Sequence, residues 1–207
     1  NGHFLTAANS KELIKSGLSH LIISLDGYDD KSYSSYRIGG NYNTVLENIR
    51  NLILLRNSSN KMFPIVEIQT VVFSFNENHL NKIKNIAKSI GADKHTTKTA
   101  FVDNLNEIPD YLPKNKKFCR YFKTQKGKLS PKRKIPKFCF RINSSLDILN
   151  NLDVVTCCFD KNANFVMGNL NNNNFESIWN NTKYIDFRNK IFNSRKSIEM
   201  CNNCSEK

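Results

Sequence analysis

The side chains best suited to chemistry in this 207-residue chain are its six cysteines, Cys119, Cys139, Cys157, Cys158, Cys201 and Cys204. Cys201-Asn202-Asn203-Cys204 puts two thiolates on one tight turn, a bite that suits a single metal centre. Four-fold coordination needs two more thiolates, and Cys139 and Cys157 can bring them from the start and the end of a short hairpin. Thiolates select zinc or an iron–sulfur cluster among the common centres. A zinc ribbon normally uses two close C-x-x-C pairs. Here the first pair is split by seventeen residues, which favours a cluster. Disulfides are the alternative use of an even cysteine count, but Asn1 to Ser10 show no basic region followed by an apolar stretch. A reducing cytoplasm is therefore the expected location, and metal binding the better starting point. Cys158 adjoins Cys157, and alternation along a strand lets only one of the two face the centre. Cys119, in a basic stretch, reads as a spare thiol.

The elements upstream alternate. Asn9 and Ser10 are candidate caps for a short helix that holds Leu13 and Ile14 and ends at Gly17. Leu21-Ile22-Ile23-Ser24-Leu25 is short, branched and almost wholly apolar, as a strand buried on both faces would be. A loop or broken helix over 29–40 leads to Val45, Leu46, Ile49, Leu52 and Ile53 at helical spacing, stopped by Asn57-Ser58-Ser59-Asn60. Ile65 to Phe73 is a second strand. Leu80, Ile83, Ile86, Ala87 and Ile90 mark the next helix, closed by Gly91, and His95 to Ala100 a weaker third strand. This alternation predicts an α/β fold with a parallel sheet of βα units. Ser24 and Asp26 share one face of the first strand, and Glu67 and Gln69 one face of the second, opposite Ile68, Thr70 and Val72. Helices cover the apolar faces, so these polar residues are expected in a cleft toward the C-terminal ends of the strands, where such folds bind ligands.

From 103 to 137 the pattern breaks. Prolines at 109, 113, 131 and 136, with a run of Lys and Arg but no Asp or Glu between Lys114 and Lys137, mark a linker. The run carries much of the net charge of +13. A basic patch can serve nucleic acid or another anionic surface. The wide excess of Asn and Lys, as in Asn171 to Asn174, explains the charge by composition instead, so nucleic acid is not the expected partner. No apolar run approaches the roughly 18–20 residues of a membrane span. Further on, runs around 142–149 and 154–159, separated by Asn150 and Asn151, read as a hairpin, and Gly168 as a turn. Phe175 to Asn180 and Tyr184 to Phe192 read as short helices. This tail is too small and polar for a sizeable apolar core, and such modules lean on a metal or cross-links.

Several short segments follow one another in a recognisable order. They are Asn1-Gly2-His3-Phe4-Leu5, Ser24-Leu25-Asp26-Gly27, Tyr36-Arg37-Ile38-Gly39-Gly40 and Asp153-Val154-Val155-Thr156-Cys157-Cys158. Gly168-Asn169-Leu170, Ile178-Trp179-Asn180, Arg188 and Cys201-x-x-Cys204 complete the series. Over nearly the whole chain this resembles the radical S-adenosylmethionine (radical SAM) enzymes that carry a C-terminal SPASM or twitch auxiliary-cluster domain. The resemblance implies the C-terminal half of a partial (βα)6 TIM-like barrel over 1–102, a basic linker over 103–137, and a small α+β cluster-binding domain over 138–207. It implies one auxiliary 4Fe–4S cluster on Cys139, Cys157, Cys201 and Cys204. Closure at a single C-x-x-C looks most like the shorter twitch arrangement. Leu152 stands where the family usually has glycine before the second ligand.

The family's C-x-x-x-C-x-x-C loop and Gly-Gly-Glu-Pro segment are not found in these residues. The chain thus reads as a C-terminal fragment, expected to be inactive alone and to leave a strand edge unpaired. By resemblance, the intact enzyme would reduce S-adenosylmethionine by one electron, and the 5′-deoxyadenosyl radical would take a hydrogen atom from a peptide or a sugar or alcohol. Its implied partners are that substrate, a reductant such as flavodoxin or ferredoxin, and a separate N-terminal half. Ser24 and Arg37 match positions that contact the S-adenosylmethionine carboxylate, a task that suits an arginine fork. Asp26, Glu67, Gln69 and Lys98 are candidate lumen residues, with ordinary barrel-filling polar contacts as the alternative. Two other readings stay open: a zinc-stabilised basic module for nucleic acid, and an inactive remnant.

Overall fold

The computed structural model describes residues 1–102 and 104–204. They divide into two compact units, Asn1–Leu129 and Ser130–Lys207.

The first unit is built on three parallel strands, β1 (His20–Ser24), β2 (Ile65–Val72) and β3 (Lys94–Thr99), in the order β1-β2-β3. Each crossover carries a helix, α3 (Tyr42–Ser58) between β1 and β2 and α4 (Leu80–Ser89) between β2 and β3. The βα alternation therefore appears as a mixed α/β unit with a parallel sheet. The apolar face expected from alternation is the one the helices cover. Ile23, Leu25, Val66 and Ile68 pack with Val45, Ile49, Leu52 and Ile53 of α3 and with Ile83, Ala87 and Ile90 in one buried cluster. Removing such side chains from water is the main favourable term of the fold. Asn41 caps α3 by accepting from the Thr44 N–H at 2.8 Å, and Gly91 ends α4 at φ +85°.

Two N-terminal expectations shift. The first helix, α1 (Ala7–Lys15), starts earlier than Asn9, because Thr6 is the residue that accepts from the Asn9 N–H. Asn9 and Ser10 lie inside it, and Ser10 is buried. In the stretch read as a loop or broken helix, Asp29 and Ser32 form a reciprocal capping box that starts α2 (Asp30–Ser34). Among the described residues β1 pairs with β2 alone, which leaves its other edge open. The basic stretch also holds structure. Strands β4 (Tyr121–Lys123) and β5 (Leu129–Pro131) pair, and Tyr121 and Leu129 pack on Val102, Leu105, Leu112 and Cys119.

The second unit contains α5 (Arg141–Ser144), an antiparallel sheet of β6 (Asp147–Ile148), β7 (Asp153–Val155) and β8 (Val166–Asn169), then α6 (Phe175–Trp179) and α7 (Thr182–Ser194). Two 3₁₀ turns, Arg195–Ser197 and Glu199–Cys201, follow. The predicted hairpin forms as β6 and β7, but only over its inner residues, since Ile142 to Ser144 are helical. Gly168 sits in β8 opposite Val154, not in a turn. A Cβ there would lie 2.8 Å from Ile178 Cγ1, so close packing of β8 on α6 explains the glycine. Leu152 takes φ +65°, the left-handed region that favours the glycine usual at this position.

Candidate functional site

Asp26 lies just past the C-terminal end of β1 and is fully buried. Its Oδ2 accepts from Arg37 Nε at 2.9 Å and Nη2 at 2.6 Å, and its Oδ1 from the Val71 N–H at 2.7 Å. The buried Asn76 side chain donates to the carbonyls of Asp26 (2.7 Å) and Val71 (2.9 Å), and accepts from the Phe73 N–H at 2.8 Å. The carboxylate is thus an anchor that ties β1, β2 and Arg37 together. Arg37 stacks over Tyr36, 5.2 Å from the ring centroid. Ser24 ends β1 opposite Gln69 of β2.

Glu67 is placed differently from expectation. It is the third residue of β2, toward the N-terminal end of the sheet and away from Asp26. Thr96 donates a short hydrogen bond to it, Gln69 Nε2 approaches at 3.4 Å, His20 Nε2 at 3.1 Å and Lys94 Nζ at 3.4 Å. The Thr96 hydroxyl, with Lys94 and His20, holds the Glu67 carboxyl below its ordinary range against the opposing effect of burial. His20 and Lys94 are the first residues of their strands, so this group fastens three strands at one end of the sheet. Lys98, opposite Val71, shares the face of Glu67 and Gln69 and is exposed.

All four cysteines singled out from spacing are buried in the second unit. Cys139 directly precedes Phe140, the residue that leads into α5, and its carbonyl accepts from Asn143 Nδ2 at 3.1 Å. Cys157 follows β7 in a turn closed by the Asp160 N–H on its carbonyl at 3.0 Å. Cys201 ends the second 3₁₀ turn, and the Cys204 N–H donates to its carbonyl at 3.2 Å. Cys158 is exposed beside buried Cys157, and it is the turn after β7, not strand alternation, that separates them. Burial, and after it the Cys157 sulfur, push the Cys201 thiol up to about 12, with Cys204 and Cys139 adding to the rise and Arg195 opposing it. Burial likewise raises Cys157 to about 11, with Cys158 and Cys204 adding to it, against the Phe159 N–H and Arg141. The four thiols thus share one electrostatic neighbourhood. Among the described residues, no three His, Cys, Asp or Glu side chains are arranged to hold a metal ion.

Residues 139–205 match the family model of SPASM, an iron–sulfur cluster-binding domain. This is the part of the chain that resembles a SPASM domain. The match opens on Cys139 and takes in Cys157, Cys201 and Cys204. Among solved structures, anSMEcpe with bound AdoMet and the Kp18Cys peptide has a TM-score of 0.57 at 16% identity, over 97% of this chain and 63% of that one. A histidine-tagged anSMEcpe with bound AdoMet gives 0.57 at 16% identity, over 97% of this chain and 60% of that one. The likeness is one of fold, and the chain spans under two thirds of the length of those proteins. A search of curated proteins gave no match.

The donors of this SPASM-like part suit the group that family holds. Four soft sulfurs are shielded from water, as thiolate-ligated clusters require. Thr156, next to Cys157, is 1% exposed, and its hydroxyl has no hydrogen-bond partner among the described residues. The segment that delivers Cys139 is held by buried Arg195, whose Nη1 donates to the carbonyls of Pro136 (3.0 Å) and Phe138 (2.8 Å). Arg188 clamps the domain. It stacks on Trp179 (4.2 Å) and Tyr184 (4.0 Å) and donates to the carbonyls of Trp179 (2.8 Å) and Ile142 (3.2 Å). Arg188 stood in the ordered series, but its role as a clamp, like those of Arg195 and Thr156, left no local signal in the sequence.

Proposed function

We propose that this chain is part of a radical SAM enzyme and that its SPASM domain holds one auxiliary 4Fe–4S cluster on Cys139, Cys157, Cys201 and Cys204. The observation that carries this reading is the coincidence of the cluster-binding family match with four buried thiols that feel one another. The parallel sheet of unit 1 then supplies later βα units of a partial (βα)6 barrel, and the open edge of β1 is where earlier strands would continue it. In the intact enzyme, bound S-adenosylmethionine would supply, on one-electron reduction, a 5′-deoxyadenosyl radical able to take a hydrogen atom from substrate. The chain's own residues position and shield. Asp26 engages Nε and Nη2 of Arg37, which leaves the Nη1 edge to meet the carboxylate of S-adenosylmethionine beside Ser24. Four cysteine ligands leave no iron open, so the auxiliary site suits electron transfer to or from the substrate. A peptide is the first substrate class to try, since anSMEcpe is seen with one; sugars and alcohols are the second, and a flavodoxin or ferredoxin is the reductant.

Anaerobic reconstitution of the full chain with iron and sulfide tests the cluster. We expect brown protein with iron and acid-labile sulfide in similar amounts. Either Cys157→Ala or Cys201→Ala should lower both, while Cys119→Ala and Cys158→Ala should not. Zinc uptake without sulfide, with nucleic-acid binding that falls steeply with salt, would favour the zinc-module reading. Binding of neither would point to a remnant.

A further inference from the structure

We propose that the Thr156 hydroxyl donates a hydrogen bond to the iron–sulfur cluster of the SPASM domain and thereby raises its reduction potential. The inference rests on the cluster reading above and adds a positioning residue to it. Thr156 is 1% exposed, yet its Oγ1 has no partner among the described residues. Burying an unpaired hydroxyl is costly, and valine would fill nearly the same volume without that cost. An orphaned group of this kind points to an acceptor supplied from outside the chain. Thr156 directly precedes Cys157, at the point where β7 ends and the ligand turn begins. The sulfurs of a bound cluster accept hydrogen bonds and donate none, so they offer what this hydroxyl lacks. Arg195 and Asn203 have interactions of their own. Tyr184 Oη and Arg188 Nη2 also have no hydrogen-bond partner among the described residues, but neither residue adjoins one of the four cysteines in sequence. A hydrogen bond to cluster sulfur strengthens as negative charge builds on reduction. It therefore favours the reduced form.

The test compares the full reconstituted chain with Thr156→Val and Thr156→Ser by potentiometric titration followed by EPR. The valine variant should have a lower potential, and the serine variant should stay near the parent. Thr156→Ala repeats the comparison with a smaller side chain should valine disturb cluster uptake. In the cluster-free protein the valine variant should melt at the same temperature as the parent or higher, because the hydroxyl it loses was unpaired. Equal potentials in all variants would overturn the inference and leave the cluster reading intact. A lower melting temperature of the cluster-free valine variant would overturn it too, by showing that the hydroxyl was already paired. A parent chain that takes up neither iron nor sulfide would instead remove the cluster reading on which the inference stands.

Discussion

Replacing Gly168 with alanine gives a sharp test of how β8 packs on α6. The new methyl would meet Ile178 Cγ1 at 2.8 Å, Cδ1 at 3.2 Å and Cγ2 at 3.3 Å, all closer than ordinary carbon contacts. Ile178 is 1% exposed and cannot swing into solvent. Overpacking of this kind costs about 1–3 kcal/mol. Ile178→Ala alone removes the opposing carbons and costs about 2–5 kcal/mol through lost burial and a cavity. Combined, the two changes relieve each other, since the added methyl enters space the isoleucine vacated. The double variant should lie at least about 1 kcal/mol closer to the parent than the sum of the singles. Trp179 adjoins Ile178 and is the only tryptophan in the chain, so its fluorescence reports urea unfolding of this unit specifically. With m of about 1 kcal/mol/M for so small a unit, Gly168→Ala should lower the midpoint by about 1–3 M. A Gly168→Ala midpoint equal to the parent's, or strictly additive single and double variants, would refute the packing argument.

Two more perturbations probe the buried charges. Asp26→Ala strands the Arg37 guanidinium and the Val71 N–H and should cost about 3–5 kcal/mol, with Asp26→Asn milder because the amide oxygen still reaches Val71. Urea unfolding followed by far-UV circular dichroism measures both, and a loss under about 1 kcal/mol for the alanine variant would show that the ion pair is solvated. The thiols predict an alkaline weakness of the cluster-free protein. Unfolded cysteines ionise near pH 9, whereas folded Cys157 and Cys201 stay neutral to about 11 and about 12. Their contribution to stability is therefore complete below about pH 9 and is lost as pH rises toward those values. Melting temperatures read from Trp179 should fall over that window, and less steeply in Cys201→Ala. An identical fall in that variant would mean the thiol does not titrate as its burial implies.

What was legible beforehand came from local pattern. Helical spacing in α3 and α4 and the glycine after α4 report on neighbours within one or two turns, so they show in the chain itself; the apolar run of β1 marks a strand, but not one buried on both faces, since Ile22 is 49% exposed. Of the Cys157–Cys158 pair only Cys157 is buried, but a turn past the end of β7 separates them, not the strand alternation the sequence suggested. Errors fell on short segments, where four or five residues cannot reveal a period. Ile142 to Ser144 became a helix, and Gly168 became a strand residue opposite Val154.

The amino-acid order by itself determined the α/β alternation and the spacing of the cysteines. Only the tertiary structure decided that Asp26 anchors Arg37, that Glu67 fastens the opposite end of the sheet, and that the Thr156 hydroxyl is buried without a partner. The physical reason is register. Which polar groups meet depends on how parallel strands joined by helical crossovers align, and no pattern within a single strand contains that alignment.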